Sequence, residues 1–343
     1  MRPPDSENSV EPLFRHHGPG MKIKRLESRL DTFDLKLSEN QPFDIVGFGL
    51  NSVDYVCVLP EFPSPYSKSE LLQYETLAGG QVATALSFLA RMGLNTKYIG
   101  KVGSDDAGRV SLESFEGKSV DVSSVLVERG ARNSFSVILV DQRNGERTVL
   151  CRREKGLDFR ESELNEEDLC SGRVFFLDGY DAMALNAAAC CQKRQIPVCA
   201  DLDAVVPNCR LLLENIDFLI VSSNFPSEFT GISDPRASFE ALRQSFDGFL
   251  AMTLGAQGVD AWAGGQCIRF PGIHVNAVDT TGAGDVFHGA FIFGLLQNWA
   301  LEKIMSFANT AAGLSCMKLG ARAGIRPLSE ILHYMEKPQP GGV

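Results

Sequence analysis

The feature that most constrains the fold of this chain is a regular alternation of short apolar runs with helical patterns. Asp44-Ile45-Val46-Gly47-Phe48-Gly49 reads as a buried strand ending in glycines. Lys97 to Gly103, Phe135–Val140, Val174–Leu177, Val198–Asp201, Phe218–Ser222 and Phe249–Leu254 are further strand-like runs. Helical spacing separates several of them. Residues 79–92 place Val82, Leu86, Leu89 and Ala90 on one face, and Ala182–Gln195 and Pro235–Phe246 follow the same period. Strands alternating with helices imply a largely parallel sheet covered on both faces, an α/β chain.

Two stretches break the alternation. Residues 51–77 contain Pro60, Pro63 and Pro65 and then a strand-like Leu71-Leu72-Gln73-Tyr74. Residues 131–151 hold Phe135–Val140, a turn at Asn144-Gly145 and Thr148-Val149-Leu150, the pattern of a hairpin. Together they are expected to form a small β lid on a domain spanning 41–336. Residues 1–40 read as an N-terminal appendage, punctuated by Pro3, Pro4, Pro12, Gly18, Pro19 and Gly20, and 337–343 as a C-terminal tail.

Charge and composition exclude several classes. At 343 residues with net charge −10, the chain is a poor general binder of nucleic acid, which demands clustered Lys and Arg, and it is repelled by anionic membranes. It has no apolar run of membrane-spanning length, and Met1 to Gly20 lack the apolar core of a signal peptide, so a cytoplasmic location is expected. Nine Cys occur without a Cys-x-x-Cys, and His16, His17, His274, His288 and His333 lack metal-ligand spacing. These read as reduced core thiols and unremarkable imidazoles.

The chemistry concentrates in Asp279-Thr280-Thr281-Gly282-Ala283-Gly284-Asp285, followed by Val286-Phe287-His288-Gly289-Ala290-Phe291. The glycine-rich turn opens a helix of small and apolar residues. Backbone N–H groups at such a helix start make an anion site, and the missing side chains let a phosphate approach. Asp285 in the first turn would face that anion. It could take the proton of a hydroxyl attacking a γ-phosphoryl group while the amides stabilise the spreading charge. Asp is also a favoured residue at helix starts; the whole Gly-Ala-Gly-Asp context points to the catalytic reading.

This run resembles the C-terminal signature of the ribokinase/PfkB family of carbohydrate kinases. Ala78-Gly79-Gly80-Gln81-Val82-Ala83-Thr84-Ala85, continuing through Gly93 to Gly103-Ser104-Asp105-Asp106-Ala107-Gly108, is similar to the N-terminal one. The resemblance covers roughly Phe43 to Met335. It implies a ribokinase-like three-layer α/β/α sandwich with a mostly parallel central sheet and a small β lid. It implies an enzyme that passes phosphate from ATP, with Mg²⁺, to a hydroxyl of a sugar or sugar derivative. Asp285 matches the base, and Gly282, Ala283 and Gly284 the anion hole. Asp54 matches the residue that holds sugar hydroxyls, with Asn51, Gly79, Gly80 and Thr84 beside it. Thr253, Gly255 and Gly258 match a turn lining the nucleotide, as do Asn224 and Asn309. Glu228 falls one place late for the Mg²⁺ shell. Asp279, Thr281 and Gly320 match a monovalent-cation site, K⁺ in some members.

Thr84 stands where many sugar kinases carry Asn. Together with Ala321-Arg322-Ala323-Gly324-Ile325 this looks closest to the sulfofructose-kinase branch. Arg152-Arg153 offer charge for an acidic substrate group or a solvated lid surface. Asp279 and Asn309 suit a turn residue and a satisfied helix Asn equally well. Gly117-Lys118-Ser119 is a decoy, because Leu112 stands where a phosphate-binding loop needs Gly. A nucleoside kinase of the same fold is the first rival reading, with Phe43, Tyr55, Tyr66 and Tyr74 as candidate stacking rings. A kinase-like sensor or interaction protein without turnover is the second. Apolar lid edges predict a homodimer through the lid.

Overall fold

The apolar run near residue 43 becomes β1 (Phe43–Phe48), and its alternation serves two layers at once. Ile45 packs into one helical layer, while Val46 and Phe48 pack into the other. The structure, a computed structural model, describes residues 28–179, 181–206 and 209–336. After β1 come β2 (Ser52–Leu59), β3 (Gln73–Gly79), α1 (Gln81–Arg91), β4 (Thr96–Ile99), β5 (Lys101–Gly103) and α2 (Asp106–Glu113). They lead to β6 (Val120–Asp121), β7 (Leu126–Glu128), β8 (Phe135–Asp141) and β9 (Arg147–Arg152). Next are α3 (Glu166–Leu169), β10 (Gly172–Leu177), α4 (Ala182–Lys193), β11 (Val198–Leu202), α5 (Cys209–Leu213) and β12 (Phe218–Ser222). The chain ends with α6 (Phe225–Thr230), α7 (Pro235–Ser245), β13 (Phe249–Thr253), β14 (Val259–Ala263), β15 (Gln266–Phe270), α8 (Ala283–Leu296), α9 (Leu301–Ser315) and α10 (Leu328–Glu336).

Nine strands form the central sheet in the order β15-β14-β13-β12-β11-β10-β1-β4-β6. From β6 to β13 every neighbour is parallel; only the β14–β15 hairpin closes one edge antiparallel. Helices α1, α8, α9 and α10 cover one face through Leu86, Phe291, Phe307 and Ile331. Helices α3 to α7 cover the other through Leu169, Ala187, Leu212, Phe225 and Leu242. This is the expected three-layer sandwich. Every residue of α8 from Val286 to Leu296 is buried, so its apolar composition follows from burial on all sides.

Two local readings change. Lys97 to Gly103 is not one strand: β4 belongs to the main sheet and β5 pairs with β7. Gly100 separates them, where a Cβ would lie 1.8 Å from the Tyr98 hydroxyl oxygen. The segment before β1 also docks on the domain. Phe33 packs edge-on to Phe218 and Phe249 with ring centroids 5.1 Å apart, and Thr32 bridges to Ala300. The part of the expected appendage that is described therefore belongs to the core layer; residues 1–27 and 337–343 lie outside the described residues.

The lid is a four-stranded sheet in the order β3-β2-β8-β9, and the expected hairpin is its β8–β9 half. Val56, Val58, Ile138 and Val140 form its small core with Leu77 and Leu319. Period-two alternation puts Asp54 on this inner face and Tyr55 on the outer one. Leu71 and Leu72, expected in a strand, precede β3 and are exposed. Among the described residues no helix is long and apolar enough to cross a membrane.

Candidate active site

The parallel strands all point their carboxyl ends toward one edge, and the sequence-expected residues gather there. Gly282 begins α8 with φ +76°, a conformation that favours glycine. A Cβ at this position would also lie 2.5 Å from that of Ala321. No side chain caps α8, so the first-turn amides face the cleft rather than a capping oxygen. Asp285 stands in that first turn, only partly buried by its surroundings. Its carboxyl is pushed well above the usual carboxylate range, first by burial and then by Asp201; His288 and Arg147 pull it back.

The acceptor side is organised by Arg322, to which the sequence reading assigned no role. Its Nη2 donates to Asn51 Oδ1 at 3.1 Å and to the Gly79 carbonyl; Nη1 donates to Ser114 Oγ at 2.7 Å and Nε to Thr84 Oγ1 at 3.4 Å. The guanidinium also lies over the Phe115 ring. Asn51 and Thr84, expected to touch substrate, are thus engaged by Arg322 instead. Asp54 is buried, and a Cβ at Gly79 would lie 2.0 Å from its Oδ2, so glycine there lets the carboxylate stand where it does. Burial pushes Asp54 up to about 6, against the pull of Arg322. Burial lowers Arg322 to about 10, while Asp54 and then Asp285 raise it. The cation therefore sits within the field of both carboxylates and keeps its charge at neutral pH.

Two buried carboxylates complete the floor. Asp178, just beyond β10, accepts the amides of Leu50 and Val82, at 3.1 Å each, and so ties the β1 exit to the start of α1. Asp201, in β11, lies 3.5 Å from His288 Nδ1. Asp279 is buried, its Oδ1 accepting the Thr281 amide and its Oδ2 the Gly320 amide, both at 2.8 Å. The three residues expected around a monovalent cation are therefore in contact, and Thr281 Oγ1 is buried without a partner. The lid reaches this same turn: the Gly145 carbonyl accepts the Thr280 amide at 3.2 Å, and Arg147 donates to Thr280 Oγ1 at 2.8 Å.

With this geometry in view, comparison with known proteins is decisive at the family level. The family model described as pfkB family carbohydrate kinase matches residues 43–327. The chain belongs to that family. Fructokinase-1 of Oryza sativa subsp. japonica is 26% identical over 322 residues, covering 85% of this chain and 97% of its own. A ribokinase of Haemophilus influenzae is 24% identical over 304 residues, covering 84% and 97%. Among solved structures, a putative ribokinase from Agrobacterium tumefaciens superposes with TM-score 0.77 at 24% identity, covering 85% of this chain and 97% of that one. A ribokinase of Arabidopsis thaliana, complexed with ribose and ATP, superposes with TM-score 0.73 at 21% identity, covering 86% and 99%.

Elsewhere in this pfkB-family chain the expected residues divide by what they touch. Gly258, with φ +94°, closes the turn into β14, where a Cβ would lie 2.2 Å from the Phe270 carbonyl oxygen. Gly255 has φ +58°, and Thr253 Oγ1 donates to the Val221 carbonyl at 3.3 Å. This turn therefore builds the β13–β14 hairpin whatever else it lines. Asn309 donates to the carbonyls of Phe270 and Pro271, at 3.2 and 2.9 Å, and so ties α9 to the end of β15 as a satisfied helix Asn. Asn224 and Glu228 are exposed at the carboxyl end of β12, on α6. Arg322, Asp178, Asp201 and Arg147 were missed. The signals for Arg322 were a lone cation in a run of small residues after Gly320 and the place of that run, with Thr84, in the resemblance to the sulfofructose-kinase branch.

Proposed function

We propose that this chain transfers the γ-phosphoryl group of ATP to a hydroxyl of a sugar or sugar derivative, as a cytoplasmic enzyme. The observation that carries this reading is Asp285 in the first turn of α8, a helix opened without a side-chain cap by Gly282 at φ +76°. An acceptor held by Asp54 through vicinal hydroxyls would present a further hydroxyl to Asp285. Asp285 takes its proton as the oxygen attacks, and the first-turn amides of α8 face the charge that develops on the phosphoryl group. The lid contacts at Thr280 bring Gly145 and Arg147 over the same turn, which excludes water as a competing acceptor.

Mg²⁺ bound with ATP would supply neutralising charge at the phosphates. Asn224 and Glu228 are its proposed outer contacts. The unpartnered Thr281 Oγ1 beside the Asp279 carboxylate fits a monovalent cation such as K⁺, with Gly320 completing the enclosure.

A sugar is favoured over a nucleoside because Tyr55 and Tyr74, stacked with centroids 6.5 Å apart, lie on the lid face away from Asp54. Arg322 keeps acceptors with an acidic group, sulfofructose included, in consideration. The test is ATP consumption with Mg²⁺ and K⁺ against hexoses, ketoses, sugar acids, sulfonated sugars and nucleosides. A sugar-class acceptor is expected; a nucleoside as the sole acceptor would replace this reading with the rival kinase, and ATP binding without turnover on any acceptor would favour the sensor.

The outer lid face presents Tyr74 and Leu150, each 55% exposed, beside Tyr55 and Val137. A second copy of the chain is the proposed cover. Light scattering at micromolar concentration should give twice the chain mass, and Leu150→Glu should halve it; a monomeric parent protein would sink the dimer.

A further inference from the structure

His288 looks in sequence like one imidazole among several, yet its two ring nitrogens meet an unusual set of partners. Nδ1 lies 2.8 Å from the Gly284 carbonyl oxygen, and Nε2 lies 3.1 Å from that of Ile220. A carbonyl oxygen accepts and cannot donate. A neutral imidazole has one N–H, so one nitrogen would aim its lone pair at an oxygen in a site where the side chain is 5% exposed. Only the doubly protonated ring satisfies both contacts.

The charges around it agree. Asp285 stands one turn back on α8, and Asp201 approaches Nδ1 from β11 at 3.5 Å. From β10 the ring meets Phe176, and from β12 the Ile220 carbonyl. Farther out, Asp178 and Asp203 add negative charge to this cluster and Arg147 adds positive charge. Gln81 of α1 bonds to Asp201 and is neutral. Asp178 and Asp201 are buried and Asp285 half-buried, and a cation among carboxyls crowded in this way favours their ionised forms. Burial, the largest influence, holds the imidazole below its usual range although the two carbonyls and Asp285 push it up; the two carbonyl contacts argue for the charged ring against that burial. The lone-pair clash decides between these tendencies.

We propose that His288 stands as an imidazolium, donating from both ring nitrogens, and is the positioning residue that keeps Asp285 ionised beside Asp201. The second half of this inference rests on Asp285 being the base. The proton balance is simple: the acceptor hydroxyl gives its proton to a carboxylate oxygen of Asp285, its oxygen bonds to phosphorus, and His288 keeps both of its protons throughout.

The charge state is read directly in the full chain by ¹⁵N NMR of the imidazoles at pH 8, where ordinary histidines are neutral. His288→Asn assigns the resonances by removing them. Both His288 nitrogens are expected to be protonated; a ring with a single N–H overturns the inference whatever Asp285 does. Once an acceptor is in hand, His288→Gln should move the acid limb of the kcat/KM profile up by about one pH unit, because a nearby cation is lost to the base. An unmoved limb in a folded variant removes the positioning role. Asp285→Asn separates the two readings: retained turnover defeats the base, and the His288 spectrum stands or falls independently.

Discussion

Asp285→Asn is expected to lower kcat roughly a hundred- to ten-thousandfold, the usual contribution of a positioned general base. Asn has the same shape, so the packing of α8 is kept. It also removes a carboxyl that burial first, and then repulsion from Asp201 and Asp178, holds above its usual range. The unfolding midpoint should therefore be unchanged or slightly raised, and nucleotide affinity by calorimetry should stay near that of the parent. The pH dependence follows from the same carboxyl. The base works only when ionised, so a carboxyl raised above its ordinary range delays the rise of activity on the acid side to higher pH. Near-normal turnover in the variant would sink the assignment.

Asp54→Ala is expected to raise the acceptor KM by roughly a hundredfold or more, with nucleotide affinity intact. Hydrogen bonds to a charged group contribute about 1.5–3 kcal/mol each, and a carboxylate can hold two vicinal hydroxyls. The loss would be compounded because Asp54 is the largest influence holding up the charge of Arg322. Gly79→Ala should reproduce the effect without removing the carboxylate, because the new Cβ would fall 2.0 Å from Asp54 Oδ2 and displace it. Steady-state kinetics with acceptor and nucleotide varied in turn separate the two sites. An acceptor KM unchanged in both variants would move the acceptor elsewhere.

Much of the fold was legible from local chemistry. The apolar runs of β1, β10, β11, β12 and β13 are buried on both faces, which is why they read as strands without alternation. The Asn144-Gly145 turn marked the lid hairpin through its backbone demands. What resisted reading was polar and distant. Arg322 meets Asn51 across 271 positions, and Asp178 meets Leu50 across 128. No periodicity encodes such pairs. Asn309 shows the converse: of its two expected roles, the satisfied helix Asn is visible in its bond to the backbone after β15. Lys97 to Gly103 misled because strand propensity is continuous through Gly100, whereas sheet membership changes there.

By itself the sequence determined the order of strands and helices, the glycine turn that opens α8 and the carboxylate that stands in it. These depend on residues close together in the chain, on backbone conformations open to few residue types, and on periodicity. Only the tertiary structure decided the charges of the site. It set Arg322 within the field of Asp54 and Asp285, brought Asp201 and Asp178 close enough to raise the Asp285 carboxyl, and gave both nitrogens of His288 an oxygen to face. Electrostatic interaction depends on separation in space and on burial, and neither is written in the spacing of residues along a chain.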